Sequence, residues 1–169
     1  YAPERMQTIY PNYISTSITP NYIAVNSIEN ILNDMAPLAE QGNLVTQMIE
    51  SGKRQYILKA CLPNLSDTLL FGYSDKQLSI LNKEESKIWE YMVAEKLSYS
   101  TNESDIVAFL QEGDNNQIFG DLFPGNVGKY IGYKIVDAWM HQKSQANLTM
   151  EKMLSTPAQQ IFLGANYAP

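Results

Sequence analysis

The sequence holds one cysteine, Cys61, and one histidine, His141, in 169 residues. A single cysteine excludes an internal disulfide, so no disulfide framework organises the fold. A single histidine excludes a zinc site built on two imidazoles of this chain, and no four-cysteine or two-cysteine, two-histidine site can be assembled. A Ser-His-Asp triad would have to use His141. That residue sits in Trp139-Met140-His141-Gln142-Lys143, the polar end of a helix, where a positive side chain is favoured. Charge is scarce as well: Asp, Glu, Lys and Arg make up 18% of the chain, and 18 acids against 12 bases leave a formal charge of -6. A nucleic-acid binder carries the opposite balance, so DNA and RNA are excluded as partners. No apolar run approaches the length of a membrane-spanning helix. No signal peptide is read. A start at Tyr1 rather than Met marks a fragment or processed product, so the missing leader says nothing about export.

What is present is apolar and tyrosine-rich: 44% hydrophobic residues and 11 tyrosines. That composition suits one folded domain over 1–169. Apolar residues recur at three- and four-residue spacing over 21–35, 44–60, 83–97 and 126–142, which predicts helices. Residues 1–20 read as an irregular arm pinned by Tyr10, Tyr13, Ile14 and Ile18, and Pro37 closes the first helix. Residues 64–73 read as a connector whose Leu69, Leu70 and Phe71 form a buried plug. Ser74 with Gln77 forms a capping box for a short helix to Ile80, and Asn82 with Glu85 forms a second box opening 83–97. Thr101 or Asn102 caps a helix over 103–110, and 111–123 reads as a loop. Asn147 or Leu148 starts a further turn or two. Thr156-Pro157-Ala158-Gln159 opens a last helix that Gly164 stops. The expected class is all-α, mainly helical, with α+β left open should strands lie upstream. The helices over 44–60, 83–97 and 126–142 are expected at its centre.

Gly125, Gly128 and Gly132 crowd the start of the long helix, although each glycine costs about 1 kcal/mol against Ala. Gly128 and Gly132 share a face, which points to a helix or backbone segment crossing at short distance. Anion binding by exposed amides at the helix start is the alternative. Gly52, inside the second helix, points to close packing too. Beside these glycines lie the candidate cleft or interaction residues. Glu50 and Arg54 form an i,i+4 pair, Tyr56 lies on the same helix, and Lys53 faces a cleft and holds an acid such as Glu29 or Asp137. Tyr133, Lys134 and Asp137 stand on the long helix, where Tyr130, Tyr133 and Asp137 are spaced for a Tyr–Asp hydrogen bond. Trp89 and Trp139 read as core. No catalytic residues and no metal ligands or cofactor are assigned: carboxylates alone suit Mg²⁺ or Ca²⁺ better than Zn²⁺, and Asp114-Asn115-Asn116 lacks the ligand spacing of a calcium loop.

Several local patterns occur in a recognisable order. Residues 44–56 read LVTQMIESGKRQY, followed by Gly72-Tyr73-Ser74 with Gln77 and Leu78, NKEESKIW at 82–89, LSYST at 97–101 and PGNVGKYIGYKIVDAWM at 124–140. Gln159-Gln160-Ile161 and Asn166-Tyr167-Ala168-Pro169 close the series, and Tyr10-Pro11-Asn12-Tyr13 and Pro20-Asn21-Tyr22-Ile23 begin it. Together they resemble the gliding-motility lipoprotein GldB family of Bacteroidetes and its non-gliding relatives. The resemblance implies a periplasmic-facing lipoprotein of the cell envelope, held by an N-terminal lipid outside this chain, of which 1–169 is the C-terminal part. It implies protein partners in an envelope assembly and a structural or adaptor role rather than an enzyme. The family is distantly similar to predicted zinc proteases with His-Glu-x-x-His on one helix. Here Asn26-Ser27-Ile28-Glu29-Asn30 stands in that place, with Glu50-Ser51-Gly52 as the third-ligand region. On that likeness the chain is a degenerate zincin-like helical domain. A ligand- or peptide-binding cleft near Lys53, Tyr133 and Asp137 is then the alternative function, and a hydrolase a more remote one.

Overall fold

The structure, a computed structural model, describes residues 19–35, 42–142 and 145–169. The arm expected over 1–18 and the stop at Pro37 lie outside the described residues. A 3₁₀ turn, Pro20–Tyr22, leads into α1 (Ile23–Met35). Then come α2 (Leu44–Cys61), α3 (Asp67–Phe71), α4 (Asp75–Ala94), a 3₁₀ turn at Leu97–Tyr99, α5 (Glu103–Leu110), α6 (Val127–Met140), α7 (Met150–Ser155) and α8 (Ala158–Ala165). Among the described residues there is no strand, only an isolated bridge between Asn116 and Gly120, so the all-α class holds.

Local chemistry sets most of the boundaries. The Asn43 carboxamide oxygen accepts from the Thr46 amide at 3.0 Å and opens α2. Ser66 accepts from the Leu69 amide to open α3, and Gly72, at φ 75°, ends it in the left-handed region that glycine enters freely. Asn102, rather than Thr101, caps α5. Thr149 caps α7, two residues later than expected. The last helix runs through Gly164 to Ala165, and Asn166, at φ 48°, is the residue that leaves it. Thr156 does not cap α8; its hydroxyl donates to the Lys152 carbonyl at 2.7 Å.

Two of the expected helices are one. α4 opens on the reciprocal Ser74–Gln77 box and continues unbroken through Asn82 and Glu85 to Ala94. Asn82 and Glu85 therefore cap nothing. Their side chains reach across to tyrosines on other elements, as described below.

α2 is buried on nearly every side: Leu44, Val45, Met48, Ile49 and Leu58 have no exposed surface. Its polar side chains Lys53, Arg54 and Gln55 are buried with them, so the helix is enclosed by the fold and not merely laid on it by one apolar face. Its neighbour is α6, and the two meet at backbone distance. A Cβ placed on Gly132 would lie 1.8 Å from the Met48 carbonyl oxygen, and one on Gly52 would lie 2.2 Å from the Gly132 carbonyl carbon. Gly128 admits Leu110 and Met48 on the same side. α8 rests on both helices. The expected three-helix centre is thus the α2–α6 pair, which α4 reaches through the long side chains of Leu81, Ile88 and Met92, all fully buried.

Candidate functional site

The side chains singled out in the sequence do not converge on one cleft. Lys53 is 2% exposed and faces no cleft. Its ammonium donates to Glu50 Oε1 at 2.7 Å, to the Leu154 carbonyl at 3.1 Å and to the Thr156 carbonyl at 2.7 Å. Three acceptors match the three protons of the group, so Lys53 ties α2 to the α7–α8 junction. Neither Glu29 nor Asp137 is its partner. Glu50 pairs with Lys53, and Arg54 donates to Asn33 Oδ1 at 2.6 Å.

Tyr56 and Tyr133 meet each other and Phe71 in an aromatic cluster, with ring centroids 6.4 Å apart for Tyr56–Tyr133 and 5.3 Å for Phe71–Tyr133. Burial first, and the Asp137 carboxylate second, push the Tyr133 phenol up to about 12. The Asp137 side chain lies 3.4 Å from His141 Nδ1, which also lies 2.7 Å from the Asp137 carbonyl, so Asp137 belongs to the solvated helix end.

Lys134 points another way, to Glu85. The two oxygens of Glu85 accept from Tyr167 at 2.6 Å and from Tyr130 at 3.0 Å, and Lys134 Nζ stands 3.2 Å away. Asn82 Oδ1 lies 2.8 Å from the same Tyr130 hydroxyl and shares its one proton with Glu85. Burial and the adjoining carboxylate hold both phenols far above their usual range. One carboxylate on α4 thereby fastens α6 and the C-terminal tail. A hollow of about 380 Å³ lies over this tie, lined by Glu85, Lys134, Asp137 and Tyr167 among others.

The larger concavity is elsewhere. Two adjoining hollows of about 460 and 300 Å³ share Gly72 and Glu112. They form a groove between α1, α3, the start of α4, the 111–124 loop and the first turn of α6. Its floor is built from backbone and polar ties. The Gly125 amide donates to the Gly113 carbonyl at 2.9 Å, and the Asn126 amide to the Gln111 carbonyl at 2.7 Å. Gly125 is required there, because a Cβ would meet Gly113 N at 2.4 Å. Asn126, at φ 51°, opens α6 by accepting from the Lys129 amide and donates its carboxamide to Glu112 at 2.8 Å. Lys129 adds an ion pair to Glu112 at 3.1 Å and lies 5.5 Å above the Tyr73 ring. The Tyr73 hydroxyl donates to the Asn126 carbonyl at 2.6 Å; burial raises its pKa well above the ordinary value, Glu112 adding to the effect. On the opposite wall Glu29 is half-buried. Desolvation raises its carboxyl above the usual range, against the pull of Lys129 and Arg54 and with the push of Glu112.

Sequence reasoning named Glu29 as a partner for Lys53 and within the Asn26–Asn30 segment, and it passed over Glu112, Lys129 and Tyr73 as a set. The signal was slight: Glu112 and Lys129 stand in different elements, and only the Asn126 left-handed turn brings them together. Asn26 lines the groove beside Glu29, but Asn26 and Asn30 are exposed. Among the described residues no group of three His, Cys, Asp or Glu side chains is placed to hold a metal ion, and no helix is long and apolar enough to cross a membrane.

The family model described as gliding motility protein GldB matches the chain over residues 1–169. No curated protein and no solved structure matches, so the likeness to zinc proteases finds no support.

Proposed function

The chain belongs to the GldB gliding-motility family, and on that premise we propose that it is a non-catalytic, protein-binding component of a cell-envelope assembly. It would face the periplasm, held at the membrane by a lipid outside this chain. The observation that carries this reading is how the charged side chains between elements are used. Lys53, Glu85, Glu112 and Lys129 each bridge separate parts of the fold. Groups fixed in that way hold a rigid shape and are not poised to exchange protons with a substrate. What the rigid shape offers outward is the groove between α1, α3 and the 111–124 loop.

A second reading, a small-ligand site, draws on the hollow of about 460 Å³, a volume within the usual range for small-molecule pockets. A photoreactive residue placed at Leu122, on the groove, and another at Lys87, exposed on α4, separate the two in intact envelopes. The adaptor reading expects one reproducible protein adduct from position 122 and none from 87. No adduct from either, together with saturable small-ligand binding by the purified chain, would reverse the choice.

A further inference from the structure

We propose that the α1–α3 end of the groove takes a lysine or arginine side chain of a partner protein, with the Glu29 carboxylate as its counter-charge. This rests on the protein-binding reading above.

Glu29 is unlike the other carboxylates turned into the fold. Glu50 and Glu85 accept hydrogen bonds, as does the more exposed Glu112. The Glu29 carboxylate accepts none among the described residues, although it is half-buried and lines the hollow of about 300 Å³. The neighbouring cations face other acceptors at bonding distance: Lys129 holds Glu112, and Arg54 donates to Asn33. A carboxylate half withdrawn from water, with no hydrogen-bonding partner among the described residues, gives up part of its solvation, and a charge-assisted hydrogen bond from outside would recover it.

The shape selects the class of cation. A divalent ion needs several oxygen ligands, and no such group exists among the described residues. The wall beside Glu29 is formed by Tyr22, Val25, Leu70 and Phe71, core residues that show only their edges to the hollow, a narrow apolar strip against which the methylene stem of Lys or Arg can lie with its charged head beyond. The lining offers two acids, Glu29 and Glu112, against one base, Lys129, with Arg54 the further cation acting on Glu29. The hollow of about 460 Å³ continues the groove past Gly72, lined by Asp114, Asp121 and Lys76. That continuation leaves space for the residues flanking a bound side chain, so a peptide segment fits better than a free amine. α1, α3 and α6 are already ordered around the site, which limits the entropy lost on binding.

Three short acetylated peptides test this against the full isotope-labelled chain, followed by amide chemical shifts. One has a central lysine between serine and valine residues, one an arginine there, and one a norleucine. The lysine and arginine peptides are expected to shift Tyr22, Glu29, Phe71, Gly72 and Lys129, and the norleucine peptide to bind about tenfold more weakly or worse. Glu29→Gln should bring the lysine peptide down to the norleucine level without disturbing the rest of the spectrum. Glu90→Gln, exposed on α4, should change nothing. Equal affinity for lysine and norleucine, shifts confined to another face, undiminished binding by Glu29→Gln, or no binding at millimolar peptide would each overturn the proposal. Photocrosslinking from position 122 in envelopes carrying Glu29→Gln keeps the two readings apart. A retained protein adduct beside negative peptide data rejects the Glu29 site alone. Expected peptide behaviour with no adduct from the unmutated groove rejects the envelope adaptor and leaves a site for basic peptides.

Discussion

Gly132 occupies a position where a methyl group would fall 1.8 Å from a helix carbonyl, and Gly52 faces the same difficulty at 2.2 Å. Both obstacles are backbone and cannot rotate aside. Alanine would gain about 1 kcal/mol of helix propensity, but pushing the two central helices apart costs more. Gly132→Ala and Gly52→Ala are each expected to lose about 3 kcal/mol or more, read as a lower urea midpoint. Gly164→Ala meets the Trp139 ring at 2.9 Å, a side chain that can shift, and should fall within about 1 kcal/mol of the parent. A parent-like midpoint for Gly132→Ala would show that the helices cross less closely than this. Lys53→Met keeps the length of the side chain but strips two buried carbonyls and Glu50 of their donor, for a loss of about 2–3 kcal/mol. Glu29 behaves in the opposite sense. Its native pKa lies above the unfolded value, so the native chain binds that proton more tightly. Stability then falls as pH rises through the window between the two values, and at neutral pH the charge is a liability. Glu29→Gln should leave the melting temperature unchanged or raised, and should flatten the pH dependence just above the ordinary carboxylate range. A clear drop would mean that Glu29 is a structural tie.

Among the elements, α2 and α6 were legible because their apolar spacing is long, although the Asn43 and Asn126 caps that open them were not read. The Ser74–Gln77 box marks the true start of α4 because both of its hydrogen bonds are local. Asn82 and Glu85 carry the identical spacing and mean something else. An Asn followed three residues later by Glu occurs equally well inside a helix, and only tertiary partners decide its use. Here Tyr130 and Tyr167 claim both side chains, and the helix continues beneath them. The tail after α8 is thus fastened by a side chain 82 residues away in sequence. A double-mutant cycle on Glu85→Gln and Tyr167→Phe should show a coupling of about 1 kcal/mol or more, since a hydrogen bond to a charged group is stronger than a neutral one. Additive single effects would mean that the tail packs by its Trp89–Tyr167 ring contact alone.

At the scale of the molecule, the groove was hidden from the sequence because it belongs to no single element. Glu29 comes from α1, Leu70 and Phe71 from α3, Glu112 from a loop, and Lys129 from the first turn of α6. Spacing rules see neighbours along one helix, and the cleft near Lys53, Tyr133 and Asp137 was expected only from the protease likeness; Lys53 stands on α2 and the other two on α6, with Lys53 buried. What spacing could not show, titration can. Tyr22, Tyr56, Tyr73, Tyr130, Tyr133 and Tyr167 all lie above the ordinary phenol value, each chiefly through burial. In the unfolded chain they ionise near 10. Below that pH both states keep their protons, and this contribution to stability is complete. Above it the unfolded chain releases protons that the native chain retains, so stability falls as pH rises toward the native values, that of Tyr133 being about 12. Phenolate absorbance followed against pH is therefore expected to rise in two steps. The first occurs with helical circular dichroism intact. The second coincides with its collapse, when the buried phenols ionise only because the fold has opened. Tyr167→Phe should move the collapse to lower pH by loosening the tail. A single ionisation step near 10 with the helices still in place would contradict both the burial of these rings and the Glu85 tie that joins three parts of the chain.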